Sequence, residues 1–156
     1  MKAAVFSDTH GSTALMLEAI GRVRPDIIIH LGDCERDTEC IEREFPQIPL
    51  YRVCGNCDFC HTAPDEDIVP MGPVKAFICH GHLFNVKYRG VDSLLYAAQE
   101  KGAQIALFGH THEAMNVEIG GVKIINPGTA GKGRNLSYAL IEVFPNGGIA
   151  SEIRAL

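Results

Sequence analysis

The chain has 156 residues, 46% of them hydrophobic and 21% charged, with six cysteines and a formal net charge of −5. These values describe one soluble globular domain over 1–156, able to bury roughly 70% of the surface its unfolded chain would expose. The acidic balance argues against a basic face for a stable nucleic-acid complex, yet leaves room for a nucleotide-sized substrate whose charge bound cations would offset.

Only a short apolar run over residues 3–6 separates Lys2 from Asp8, too short for a signal peptide or a membrane span, and no later run reaches transmembrane length. The expected location is therefore cytoplasmic, with no membrane partner and with the cysteines as reduced thiols. Residues 2–6 predict the first strand. Ser12 or Thr13 can cap a helix running to about Arg24, with Met16, Ile20 and Val23 at i, i+4 and i+7 as its core stripe. Pro25 stops that helix, because its ring cannot continue the hydrogen-bond ladder. Ile27, Ile28 and Ile29 make a second buried strand, after which His30-Leu31-Gly32 leads straight into Asp33. A short, highly charged helix is expected over 35–44, with Cys40, Ile41 and Phe45 as its thin apolar face. Residues 50–53 complete a parallel βαβαβ opening.

Beyond Asn56 the pattern changes. Residues 57–64 read as a loop, and 67–71 and 74–79 flank Gly72-Pro73 as a hairpin. Val91, Leu94, Leu95 and Ala98 line the next helix, closed by Gly102, and 105–108 is another buried strand. The tail is antiparallel in character, with 114–119 and 122–125 around Gly120-Gly121, and 137–144 and 149–154 around Pro145-Asn146-Gly147-Gly148. The predicted class is α/β, most simply two sheets packed face to face with helices outside.

Five apolar runs end abruptly in acid, amide or imidazole: at Asp8-Thr9-His10, Asp33, Asn56, His80 and His110-Thr111-His112. Strand ends in α/β sheets converge on one crevice, so these side chains are expected together. Two Asp, one Asn and four His form a mixed oxygen and nitrogen donor set, suited to Mn, Fe, Co, Ni or Zn rather than Ca. Seven groups exceed one four-coordinate ion but suit two ions sharing a carboxylate, and Asp33 is the candidate shared residue. The i, i+2 spacing of Asp8 with His10 and of His110 with His112 would place both members on one strand face. At a strand's end such a pair can serve one ion twice or two adjacent ions once each. Taken singly, each motif has an ordinary explanation, since an Asp after Gly is a turn residue and a lone His a surface or core residue. Their joint occurrence at five successive strand ends is what points to metal.

This ordered set resembles the calcineurin-like metallophosphoesterases, whose motifs run D-x-H, G-D, G-N-x-[DE], H and G-H-x-H. They stand here as Asp8-Thr9-His10, Gly32-Asp33, Gly55-Asn56-Cys57-Asp58, His80 and Gly109-His110-Thr111-His112. Asn126-Pro127-Gly128-Thr129 is similar to the family's N-P-G-[ST] segment. The compact chain and its Gly-Asn-Cys-Asp form resemble the small bacterial and archaeal phosphodiesterase branch, to which the retromer subunit of eukaryotes is also similar. The resemblance implies a four-layer αββα sandwich of two mixed sheets. It also implies two divalent transition-metal ions, Mn2+ first, with Ni2+, Fe2+, Co2+ or Zn2+ as alternatives. Asp8, His10 and His112 would hold one ion, Asn56, His80 and His110 the other, with Asp33 bridging.

The implied activity is that of a phosphoesterase, in the first place a phosphodiesterase, cleaving a small phosphodiester or phosphomonoester. The implied chemistry is in-line attack by a metal-bridging hydroxide, with the ions roughly 3.5–4 Å apart. Asn56 and His82 are the candidate catalytic residues. Many family members carry His where Cys57 stands, and a thiol is a weak donor to a leaving group. Either the substrate has a good leaving group, or His82 supplies the missing help; the other reading of His82 is a partner that orients His80. A metal-binding interaction scaffold with little or no catalysis is the alternative, disfavoured because every expected ligand position is filled. Homo-oligomerisation stays open.

Cys54, Cys57 and Cys60, with His61 adjacent, are spaced as in some zinc or iron–sulfur sites, but no fourth cysteine follows at suitable spacing. Reduced thiols beside the metal site are the preferred account. Cys34, Cys40 and Cys79 are expected as core fillers or helix residues, His30 as packing behind Asp33, and Glu35 and Asp58 as solvated or supporting acids rather than ligands.

Overall fold

In a computed structural model, which describes residues 1–59 and 62–156, the apolar runs become strands of two mixed sheets. The first half supplies β1 (Lys2–Phe6), α1 (Ala14–Val23), β2 (Ile27–His30), α2 (Glu39–Glu44), β3 (Leu50–Arg52), β4 (Glu66–Met71) and β5 (Val74–Cys79). The second half adds α3 (Val86–Arg89), α4 (Asp92–Glu100), β6 (Ile105–Leu107), β7 (Met115–Ile119), β8 (Val122–Asn126), β9 (Ser137–Val143) and β10 (Ile149–Ala155). One sheet has the order β10-β9-β1-β2-β3 and the other β4-β5-β6-β8-β7. Within them β1, β2 and β3 run parallel, as do β5, β6 and β8, and the outer strands return antiparallel.

The central strands are apolar without alternation because both of their faces are covered. Ala3, Val5, Ile27 and Ile29 meet Val69, Met71, Ala76, Ile78, Ile105 and Leu107 in the core between the sheets. On its outer face the first sheet packs Ala4, Phe6 and Ile28 against Met16, Ala19 and Ile20 of α1 and Ile41 of α2. The outer face of the second sheet packs Phe77, Ala106, Phe108 and Ile124 against Leu94 and Ala98 of α4. The layers are therefore helix, sheet, sheet, helix, as expected. None of the described helices is long and apolar enough to cross a membrane.

Three local differences have physical causes. The expected helix over 35–44 is split: Glu35–Thr38 form a 3-10 turn before α2, since Cys34 is left-handed at φ 71° and Glu35 and Thr38 turn inward. Thr13 stands at the start of α1, but its side chain makes no capping bond. The two tail hairpins do not lie together: β7 and β8 extend the second sheet, whereas β9 pairs with β1 and carries β10 to the edge of the first. Ala139, Ile141 and Val143 of β9 then complete the core between the sheets.

At the end of β2, His30 is fully buried. Its Nδ1 accepts the Gly32 N–H at 3.3 Å, which leaves the proton on Nε2 to donate to Thr9 Oγ1 at 3.2 Å. Thr9 Oγ1 in turn donates to the Asp33 carbonyl at 3.4 Å, so His30 does sit behind Asp33 as expected. Burial lowers the His30 pKa to about 4, against a smaller opposing pull from Asp37 and Asp58. The folded protein holds the ring neutral, whereas the unfolded chain takes up a proton near pH 6.5. Stability should therefore fall as pH drops from about 6.5 to about 4, by on the order of 3 kcal/mol from this residue. His30→Gln, which keeps an acceptor for Gly32, should flatten that slope in urea titrations of the metal-free protein. His80, shifted the same way, is present in both proteins and cancels in the difference.

Candidate metal centre

Each proposed ligand follows a parallel strand, and the two sheets bring those strand ends to a common edge. Asp8 and His10 follow β1, Asp33 follows β2, Asn56 follows β3, His80 follows β5, and His110 and His112 follow β6. The edge is stitched by bonds that cross between sheets. His80 Nδ1 meets the Leu31 carbonyl at 2.7 Å, and the His110 N–H donates to Asp8 Oδ2 at 3.1 Å. Thr129 Oγ1 donates to the Asp8 carbonyl at 2.9 Å, and within the second sheet Asn126 Nδ2 donates to the Gly109 carbonyl and Thr111 Oγ1 at 2.8 and 3.0 Å. The Asn126-Pro127-Gly128-Thr129 segment thus pins the loops carrying Asp8 and His110 from behind.

The backbone turns sharply at these positions. Asp8, His10, Asp33, His110 and His112 all have positive φ, between 44° and 67°, a conformation that side-chain-bearing residues adopt only when their surroundings impose it. These residues are therefore not on a strand face, and the i, i+2 spacing acts through turns. His112 lies with Asp8 and His10, whereas His110 lies toward His80 and His82. Of the two arrangements left open by spacing, each His of the pair turns to a different group.

The first group is tight. Single donor atoms of Asp8, His10, Asp33 and His112 all lie within 4.8 Å of one another. His112 Nε2 is 3.1 Å from Asp8 Oδ1, and His10 Nε2 is 3.3 Å from His112 Nε2. In the second group His80 Nε2 is 3.2 Å from Asn56 Oδ1 and 3.4 Å from Asp33 Oδ1, and its ring is 5.2 Å from that of His110.

Both groups bring acceptor atoms together with few hydrogens to meet them. Asp8 Oδ1 is buried and accepts no hydrogen bond, although Oδ2 is met by Ser7 Oγ at 2.5 Å. Burial, with Asp33 adding to it against the Ser7 bond, raises the Asp8 carboxyl to about 7. His80 gives its Nδ1 proton to the Leu31 carbonyl, so Nε2 presents a lone pair to two oxygens that can only accept. Burial lowers the His80 pKa to about 4, so the ring does not relieve this by protonation at neutral pH. Converging carboxylate and imidazole lone pairs in the first group fit a divalent transition metal.

Asp33 lies between the groups. Its Oδ2 is 3.8 Å from His10 Nε2, and its Oδ1 faces His80 and accepts the Cys57 N–H at 2.9 Å. Burial alone would raise its pKa, but the charge of His80 in its protonated form and the Cys57 bonds outweigh it and hold the carboxyl below its ordinary value.

Asp58 is the residue whose importance the sequence understated. Its Oδ2 accepts the N–H groups of Asp33 and Gly55 at 3.0 and 2.8 Å, and its Oδ1 accepts that of Glu35 at 2.8 Å. One carboxylate thereby ties the loop after β2 to the loop after β3. Glu35 is likewise buried rather than solvated, bound by Thr62 and Arg52. Cys34 lines a surface cavity instead of filling the core, because its left-handed backbone turns it outward. Cys54 donates to Asp65 while Cys57 faces Asp33, so these two thiols have separate partners rather than a shared ion. Burial raises their pKa values to about 12 and about 11. Cys60 and His61, the rest of that spacing, lie outside the described residues.

The fold and the donor set define a two-sheet sandwich with a candidate metal centre at one edge. The chain belongs to the calcineurin-like phosphoesterase superfamily, whose domain model matches residues 1–144. It is 34% identical over 132 residues to the probable metallophosphoesterase YsnB of Bacillus subtilis, covering 83% of this chain and 75% of that one. It is 28% identical over 145 residues to the phosphodiesterase MJ0936 of Methanocaldococcus jannaschii, covering 82% and 83% of the two. The solved structure of Vps29 complexed with zinc from Entamoeba histolytica shares the fold, with a TM-score of 0.79 over 99% of both chains at 20% identity.

Removing the Asp58 carboxylate leaves three backbone donors without their acceptor, so Asp58→Ala should loosen the Asp33 loop rather than remove a ligand. Metal affinity, measured by competition with a chromogenic chelator, should fall roughly 10–100-fold with stoichiometry retained.

Proposed function

We propose that the protein is a dinuclear metal-dependent phosphodiesterase. The observation that carries this reading is the position of Asp33, whose two carboxylate oxygens face separate donor groups. Asp8, His10 and His112 would hold one ion, Asn56, His80 and His110 the other, and Asp33 would belong to both. Two bound divalent cations supply an acidified water and a clamp on phosphoryl oxygens. Mn2+ is the first metal to test, followed by Ni2+, Fe2+, Co2+ and Zn2+. Free thiols at the described cysteines are in keeping with a cytoplasmic setting.

The chain's own groups would divide the remaining work. Asn56 presents its amide at the exposed side of the second group, where a phosphoester can approach it. His82 stands 5.4 Å from His80 and 6.3 Å from His110, ring to ring, with a buried Nδ1 that has no hydrogen-bond partner. That placement supports a role for His82 toward the substrate. Cys57 stays a protonated thiol near neutral pH and donates weakly, which favours esters with good leaving groups. A small phosphodiester or phosphomonoester is the substrate class, with the diester preferred.

Asp33→Asn should remove metal and turnover together. Bound metal should fall from two equivalents to one or none, and hydrolysis of bis(4-nitrophenyl) phosphate should drop by about 10²–10³-fold or more. Full occupancy with normal turnover in that variant would end the dinuclear model. A wild-type protein carrying two equivalents yet hydrolysing neither mono- nor diesters would favour the interaction scaffold. His82→Ala should keep both metals and lose about 10²-fold in kcat; unchanged kcat and metal content would remove His82 from the site.

A further inference from the structure

Beside the metal centre lies a cavity of about 460 Å3, within the roughly 300–1,000 Å3 typical of small-molecule sites. It shares a wall with the centre. Cys34 follows Asp33 directly, and Cys57 faces the cavity while its N–H holds Asp33 Oδ1 at 2.9 Å. A substituent leaving a phosphoryl group on the Cys57 side of Asp33 would enter this space.

The cavity's acids are already occupied by the protein. Asp58 accepts three backbone N–H groups, Glu35 is bound by Thr62 and Arg52, and Asp37 Oδ2 accepts the Gly11 N–H at 2.7 Å. The groups left to meet a ligand are the exposed guanidinium of Arg36, which has no carboxylate partner among the described residues, and the ring of Phe59. Phe59 is 93% exposed, the most exposed large apolar side chain described. A single exposed Phe needs no explanation by itself. Here it forms the lip of a cavity that adjoins a candidate catalytic centre, where a ring and a guanidinium together offer stacking and cation–π contacts to a planar aromatic group.

We infer that this cavity is the subsite for an aromatic arm of the phosphoester, with Phe59 stacking on the ring and thereby determining specificity. The inference rests on the metal-centre reading above and names the substrate class within it: phosphoesters carrying an aryl group or a nucleobase, in preference to alkyl esters.

The test is binding to the metal-loaded protein, measured by isothermal titration calorimetry with ligands that are not hydrolysed. Benzylphosphonate should bind about tenfold tighter than methylphosphonate, the scale of one stacked ring. Phe59→Ala should bring the ratio near one by weakening benzylphosphonate alone, and Phe59→Tyr should retain it. The methylenephosphonate analogue of adenosine 5′-monophosphate against that of ribose 5-phosphate, with the same variants, separates a nucleobase from a small aryl ring; a Phe59-dependent gain in either pair supports the subsite. Equal affinities within both pairs, or a preference that survives Phe59→Ala, would overturn it while leaving the metal centre standing. Failure of the loaded protein to bind any of the four phosphonates would overturn the phosphoesterase reading and the subsite with it.

Discussion

Asp33 can face two donor groups only because its own backbone is held, and the Asp58 carboxylate does much of the holding. A left-handed residue after a glycine at the end of a short strand has little reason to stay in one place. Three N–H groups directed at one carboxylate supply that reason, joining the loops after β2 and β3. Gly32 and Gly55 are required by the same contact, since a Cβ on Gly32 would come within 2.5 Å of the Gly55 nitrogen. His30 and Thr9 brace the same loop from below through the Asp33 carbonyl. The position of one acid thus depends on a network of neutral and charged hydrogen bonds around it.

Much of this was legible before any coordinates. Apolar runs without alternation at 3–6, 27–29 and 105–107 announce strands covered on both faces, and the ligand-type residues follow them directly. Gly120-Gly121 announces a turn with two positive φ values, observed at 57° and 79°. The assignment of the two tail hairpins to different sheets was not legible, because alternation shows that a strand has a core face without showing which core it meets. The weight that Asp58 carries was hidden for a related reason. The residue was visible as the acid of the Gly55-Asn56-Cys57-Asp58 motif and as a supporting acid, but an acid that accepts backbone N–H groups has no side-chain partner to announce what it holds. Cys34 was misplaced because a short polar or thiol residue that accepts left-handed backbone looks the same in sequence as one that fills a core.

The site concentrates unfavourable features that are sparser elsewhere, and five of the eight left-handed non-glycine residues described are proposed ligands. Five left-handed residues, an orphaned buried carboxylate oxygen and a buried imidazole lone pair facing two oxygens all occur at one edge. Local choices elsewhere agree with the fold, so a cluster of disagreements marks where structure is held for another purpose. A divalent cation in either group would turn these features from costs into bonds. This is why the geometry, and not merely the residue types, supports the metal reading.

The same edge is where the two sheets meet in polar chemistry rather than in the apolar core. Asp8, His10, Asp33 and Asn56 come from the first sheet, and His80, His110 and His112 from the second. Neither donor group is complete within one sheet: His112 completes the first across the interface, and His80 meets Asn56 and Asp33 across it. The apolar core sets how the sheets approach, and that approach sets the donor distances. Ions bound there would in turn tie sheet to sheet, since binding to the folded state alone stabilises it by mass action. Packing of the core and any occupancy of the centre would then be linked equilibria, with Asp33 at the point where they join.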